Sequence, residues 1–212
     1  MKKKFDVSCV IYIVMFVVCY VTSNVVVCRE IELFGITASA SIIIYPLLYL
    51  ILTLFRERYG KEKAVFLLNI SVVAILFSSL LIMFASLFPI SSVTDGLEPL
   101  FNNNLRILIA SLAAFYLSQN LHLTIYDFLG YSKFFKFLVS AVIAVTADQI
   151  VFVFLAFIKK GVTISELTSR FTGQYTFNIM AIIIYALIFG VILYIKSNNS
   201  NLEKPKNKTK IK

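Results

Sequence analysis

Charge is scarce in this sequence. Only 15% of its 212 residues are Asp, Glu, Lys or Arg, against roughly 25% in soluble domains. Hydrophobic residues make up 59% of the chain, and mean hydropathy is +0.88. A soluble domain of this length has too little interior to hide so much apolar surface. Histidine occurs once, at His122, and cysteine three times, at Cys9, Cys19 and Cys28, without C-x2-C spacing. With no partner set of His and Cys, no metal site is expected. The cysteines read as small buried hydrophobes. Walker, G-x-S-x-G and H-E-x-x-H motifs are missing, and so is any clustered nucleophile and base. The loops are too short for a soluble catalytic domain. The expectation is a protein that is not an enzyme and needs no cofactor.

What the chain has in abundance is long apolar runs. In hydrocarbon every backbone N–H and C=O must be paired within the protein, which leaves helices or a closed barrel. A barrel would show alternating segments of about ten residues. These runs are longer, do not alternate, and are rich in Ile, Leu, Val and Phe. A span needs about 20 apolar residues. Six such spans are read, at Val7–Val27, Ile36–Phe55, Ala64–Phe88, Ile107–Leu129, Phe134–Ile158 and Phe177–Ile195. The fold class expected is an all-α membrane protein, a six-transmembrane-helix bundle over residues 1–196. A basic, solvated tail is expected over 197–212. Thr22, Ser23 and Asn24 lead directly into more valines, so the first run reads as a retained helix and not a cleaved signal. Pro46 falls at the middle of the second run, where it is expected to break the helix. The segments 89–105 and 159–176 each leave room for a short surface helix.

Net charge is +9. The basic residues lie mostly between and beyond the apolar runs, so they read as topology signals near a lipid bilayer and not as a nucleic-acid surface. Six spans put both termini on one side. That side, with the loops at 56–63 and 133–136, carries fifteen of the 20 Lys and Arg residues. The positive-inside rule then puts both termini in the cytoplasm of a multi-pass plasma or inner membrane protein.

Polar residues at membrane depth are costly unless they face partners or a water-filled cavity, which makes them functional candidates. Asp148 is the deepest carboxylate, beside Ala141, Ala144, Val145 and Phe152 on its face of the fifth span. Two readings stand for it: a ligand group, or a neutral carboxyl paired to a neighbouring helix. The fourth span carries Ser111, Ser118, His122 and Tyr126 at steps of seven, four and four, which stacks them on one face, with Gln119 beside them. His122 either serves function or hydrogen-bonds between helices. Asn24, near the end of the first span, either meets a ligand or bridges helices. Glu57 lies within R-E-R-Y-G-K-E-K, where Arg58 and Lys61 can neutralise it.

The order of these residues resembles the queuosine precursor transporter family, the vitamin uptake-like transporters. These are six-helix proteins related in fold to the substrate-binding components of energy-coupling-factor transporters. The resemblance runs roughly from Asn24 to Gly190 and has three anchors. The first is Asn24, Arg29 and Gly35, then Pro46 and L-T-L-F-R-E-R-Y-G-K with Glu57, Tyr59 and Gly60. Thr53 stands where the family usually has Asp. The second is R-I-L-I-A-S-L-A-A-F-Y-L-S-Q, with Arg106, Ala110, Ser111, Ser118 and Gln119 in place. His122 stands where an Asp is often found. The third is Ser140 to Phe152, with Asp148 and Phe152 matching and Val145 where Gln is common.

The resemblance implies uptake of a small-molecule 7-deazaguanine base: 7-cyano-7-deazaguanine, its aminomethyl form, or queuine, all precursors of the tRNA nucleoside queuosine. It implies substrate contacts from Asp148, Gln119, His122, Asn24, Ser118, Phe152, Glu57 and Arg106. A carboxylate such as Asp148 can accept the N1–H and exocyclic amine of a guanine-like edge. An amide such as Gln119 or Asn24 can meet the carbonyl oxygen and ring nitrogen. Phe152 can stack on the ring. Either facilitated entry or proton coupling through Asp148 or His122 would drive transport. Rival readings are a substrate-binding component of an energy-coupling complex, a homo-oligomeric or structural membrane protein, and a membrane enzyme. The first helix lacks the A-x-x-x-A pattern by which energy-coupled components dock, which favours a stand-alone carrier.

Overall fold

A computed structural model describes residues 6–27, 29–85, 88, 105–157 and 164–202. Helix α1 spans Val7–Val26 and starts where Asp6 caps it: the Asp6 Oδ1 accepts from the backbone N–H of Ser8 at 3.1 Å and of Cys9 at 3.4 Å. A short antiparallel hairpin follows, β1 (Glu30–Leu33) and β2 (Ile36–Ser39). Its two turn residues, Phe34 and Gly35, have φ of 55° and 75°. Two successive positive φ values give the turn whose twist suits paired strands. Five more helices complete the chain: α2 (Ile44–Tyr59), α3 (Lys61–Ala85), α4 (Leu105–Phe128), α5 (Lys133–Phe157) and α6 (Ile164–Leu202). Six helices are long and apolar enough to cross a membrane, and the chain is a multi-pass membrane protein.

Two boundaries differ from the sequence reading. The second span does not begin at Ile36, because Ile36–Ser39 is a strand and the chain turns through a 3-10 segment, Ala40–Ile42, before α2. Hydropathy cannot distinguish an apolar strand from the start of an apolar helix. Pro46 is therefore the third residue of α2 and does not break its middle. In the first turn its missing N–H has no intrahelical partner to lose. The second difference is α6, which starts at Ile164 and runs on to Leu202. Its polar first turns, I-S-E-L-T-S-R-F-T-G-Q-Y-T, hide it from hydropathy, while the backbone pairing that propagates a helix continues regardless. The segment expected to hold a surface helix at 89–105 lies outside the described residues, apart from Leu105, where α4 begins.

Helix α2 is the hub. Of its span 56% is buried, against 17% to 39% in the other five, and it packs on every other helix. Gly60, with φ of 90°, ends it and turns the chain directly into α3; there a side chain would be strained. One core lies among α1, α2, α3 and α4, around Phe16, Leu48, Leu52, Phe55, Leu67 and Phe115. The other lies among α2, α4, α5 and α6, around Tyr49, Tyr126, Phe137, Ala144, Ile182 and Phe189. Small residues let the helices of the second core approach closely: Ala141, Ala144 and Ala186 are buried, and a Cβ added to Gly190 would sit 3.2 Å from the Phe134 ring. The outer faces carry exposed Phe77, Phe84, Ile150, Phe154, Ile184 and Leu187, the surface that hydrocarbon accepts.

Candidate functional site

Two polar stripes face each other across the hub. On α4 it is the stripe of Ser111, Ser118, His122 and Tyr126. On α2 it is Tyr45, Tyr49, Thr53 and Glu57, at successive steps of four. Steps of four keep side chains on one helical face. The stripes meet rung by rung. Thr53 Oγ1 and His122 Nε2 are 2.7 Å apart, both fully buried. The Tyr49 ring meets the His122 ring edge-on at 5.2 Å. Tyr126 donates its hydroxyl to Glu57 at 3.2 Å. Thr53 and His122, two of the three positions that depart from the family pattern, are thus each other's partners.

Helix α5 brings Asp148 to the upper rungs. Its Oδ1 accepts from the Tyr45 hydroxyl at 2.5 Å and from the Ser118 hydroxyl at 3.2 Å. The first length is that of a hydroxyl donating to a charged oxygen. Among the described residues no Lys or Arg pairs with Asp148. Of the tyrosines Tyr20, Tyr45 and Tyr49, Tyr45 is the one that hydrogen-bonds it. The Tyr20 ring stacks on Phe115 of α4, with centroids 3.8 Å apart.

Beside Ser118 lies Gln119. It is fully buried, and neither its amide nitrogen nor its amide oxygen has a partner among the described residues. The hydroxyls of Tyr20 and Tyr49 are buried with no partner at hydrogen-bond distance among the described residues. Each buried polar group left unpaired costs about 1–3 kcal/mol, and such groups call for an explanation. Together they form a polar cluster deep in the bundle, the chamber, with more donors and acceptors than the described residues pair.

The other residues singled out in the sequence fall in different places. Phe152 sits one turn from Asp148 on α5, partly buried. Asn24 is a bridge between helices: it donates to the Tyr20 carbonyl at 3.0 Å and accepts from Ser111 at 3.0 Å. Ser111 lies seven residues before Ser118, about 10 Å along the helix axis. Glu57 is eight residues beyond Tyr49 on α2, at the helix end, where it bonds Arg56 and Lys133. Arg106 opens α4, twelve residues before Ser118, which puts its backbone about 18 Å away along the axis; its side chain lies outside the described residues. Asp148 and Ser118 are therefore brought together, with Gln119 next to Ser118 in the chain and His122 one turn further along α4, whereas Glu57 and the Arg106 backbone lie away from them. Sequence reasoning missed Tyr20, Tyr45 and Tyr49. The fourfold steps of Tyr45, Tyr49 and Thr53 were the available signal, matching the stripe on α4.

A family model described as "Putative vitamin uptake transporter" matches residues 39–195. The match takes in α2 to α5, most of α6, and every chamber residue except Tyr20. No curated protein and no solved structure matches the chain. Unpaired polar groups deep in a bundle of six spanning helices are candidates for a functional site. The chain belongs to the vitamin uptake transporter family.

Proposed function

We propose that this protein imports a queuosine precursor, a 7-deazaguanine such as 7-cyano-7-deazaguanine, its aminomethyl form or queuine. Both termini face the cytoplasm, and the bundle acts as a carrier without a coupled ATPase. The observation that supports this best is Gln119, buried with both ends of its amide unpaired among the described residues and next in sequence to Ser118, whose hydroxyl bonds Asp148. A guanine-like edge presents two parallel donors next to a carbonyl. Asp148 accepts the donors, and the Gln119 amide donates to the carbonyl. Phe152 stacks on the flat ring, and the Tyr49 hydroxyl meets a ring nitrogen. A site that pairs each polar atom of its ligand discriminates strongly against compounds that lack them.

The test is complementation. The protein is expressed in a host that cannot make deazaguanines and has no importer. Each precursor is supplied, and queuosine is measured in tRNA. Restoration with at least one precursor is expected. No restoration with any of them, despite membrane expression, would sink the substrate assignment. Restoration only when ATPase subunits co-purify would replace the stand-alone carrier with an energy-coupled one.

A further inference from the structure

The two hydroxyls on Asp148 are not equivalent. Tyr45 makes one hydrogen bond, at 2.5 Å, and its partner is Asp148 Oδ1. The Ser118 hydroxyl is within reach of two acceptors, Asp148 Oδ1 at 3.2 Å and the carbonyl oxygen of Phe115 at 3.1 Å. A serine hydroxyl has one proton to donate, so Ser118 can turn from the carboxylate to its own helix at little cost. Tyr45 has no second acceptor of this kind among the described residues. A carboxylate offers about four lone-pair sites. Oδ1 uses both of its own, on Tyr45 and Ser118. A ligand that offers two parallel donors needs one site on each oxygen.

From this asymmetry we infer that Tyr45 is a positioning residue that fixes the Asp148 carboxylate, while Ser118 is a placeholder that releases Oδ1 when a two-donor ligand binds. On binding, the Ser118 proton swings onto the Phe115 carbonyl, three residues back on α4. One ligand donor takes the freed site on Oδ1, and the other takes Oδ2. No buried group loses its partner in the exchange. Tyr45 keeps the carboxylate plane in register with the ligand throughout. The inference rests on the guanine-like edge proposed above and adds which protein bonds yield to it.

The two hydroxyls then respond in opposite directions. Uptake kinetics are measured in membrane vesicles with 7-cyano-7-deazaguanine, its aminomethyl form and queuine. Tyr45→Phe, which removes only the hydroxyl, is expected to raise the apparent KM about tenfold. Ser118→Ala is expected to lower it about threefold, because the ligand no longer competes with a hydroxyl. An analogue of the imported base without its exocyclic amine has a single donor and needs no second acceptor, so its KM should not fall in Ser118→Ala. Gel filtration of both variants checks that they fold. A rise in KM for both variants, or a fall for the one-donor analogue equal to that for the parent base, would overturn the inference and leave the substrate assignment standing. Wild-type vesicles that take up none of the three bases would overturn both.

Discussion

Helices α2, α4 and α5 each carry polar residues in two places, and the two places behave in opposite ways. Deep in the bundle, Asp148, Gln119, Tyr20 and Tyr49 have more hydrogen-bonding capacity than the protein uses. At the helix ends, charges meet in a belt. Arg56 pairs with Glu57 and Asp127, Lys133 pairs with Glu57, and Lys61 pairs with Asp127. The Arg56 guanidinium also lies 5.0 Å over the Tyr126 ring. The belt ties α2, α3, α4 and α5 together with each carboxylate answered by two cations. The chamber is buried and underpaired; the belt is partly exposed, and each of its carboxylates has two cations, although Arg56 Nε is buried without a partner among the described residues. On the proposed reading, polar groups that hold helices together mostly satisfy one another, and polar groups that meet a solute do not.

The largest effect is expected at Asp148. Asp148→Ala removes the acceptor at the centre of the chamber and should abolish uptake, while the protein still elutes as a folded species in gel filtration. Uptake at the wild-type level would remove Asp148 from the site. The sharpest form of the contrast is Gln119→Leu. A side chain of similar volume replaces an amide with no partners, so the penalty of two unpaired buried atoms disappears. We expect melting temperature to rise, in line with a gain of about 1–3 kcal/mol, while uptake falls by one to two orders of magnitude. A fall in both would mean that Gln119 has a structural partner in the resting protein.

The six spans were legible in the sequence because the signal for a helix in lipid is the length of an apolar run, which does not depend on tertiary contacts. The start of α2 was not, because Ile36–Ser39 is apolar enough for a helix and becomes a strand through pairing with Glu30–Leu33. Asp148 was legible for the same reason as the spans: a lone carboxylate in a long apolar run is conspicuous. Tyr20, Tyr45 and Tyr49 were not, since 11 Tyr and 20 Phe are spread over the chain, and a tyrosine that lines a chamber reads like one that packs against a helix. Glu57 could be placed among its cations from the local R-E-R-Y-G-K, but Asp127 and Lys133 join it only through the fold.

Between the chamber and the belt lies the Thr53–His122 pair, which separates structural from ligand roles. Thr53→Val keeps the shape and removes the hydroxyl, leaving His122 Nε2 without that partner. The expected cost is about 1–3 kcal/mol of stability, read as a lower melting temperature, with uptake reduced less than in Gln119→Leu. Uptake lost as fully as in Asp148→Ala, at unchanged melting temperature, would move His122 from the frame into the site.

The belt should give the smallest effects. Its side chains are partly solvated: Lys133 and Lys61 are 55% and 49% exposed, while Glu57 is 13% exposed. Exposed ion pairs contribute about 0–1 kcal/mol each, and because each acid has a second cation, losing one pair leaves no charge unanswered. Lys133→Gln should therefore lower stability by less than about 1 kcal/mol, with uptake nearly unchanged. Glu57→Lys alone puts a third cation beside Arg56 and Lys133 and should cost more, and adding Lys133→Glu should recover part of that loss by restoring an opposite pair. Recovery of stability and uptake together marks the belt as a fastening between helix ends. If Lys133→Gln instead lost uptake as Asp148→Ala does while the fold stayed intact, Glu57 would belong with the solute after all, and completeness of pairing would no longer distinguish the two regions.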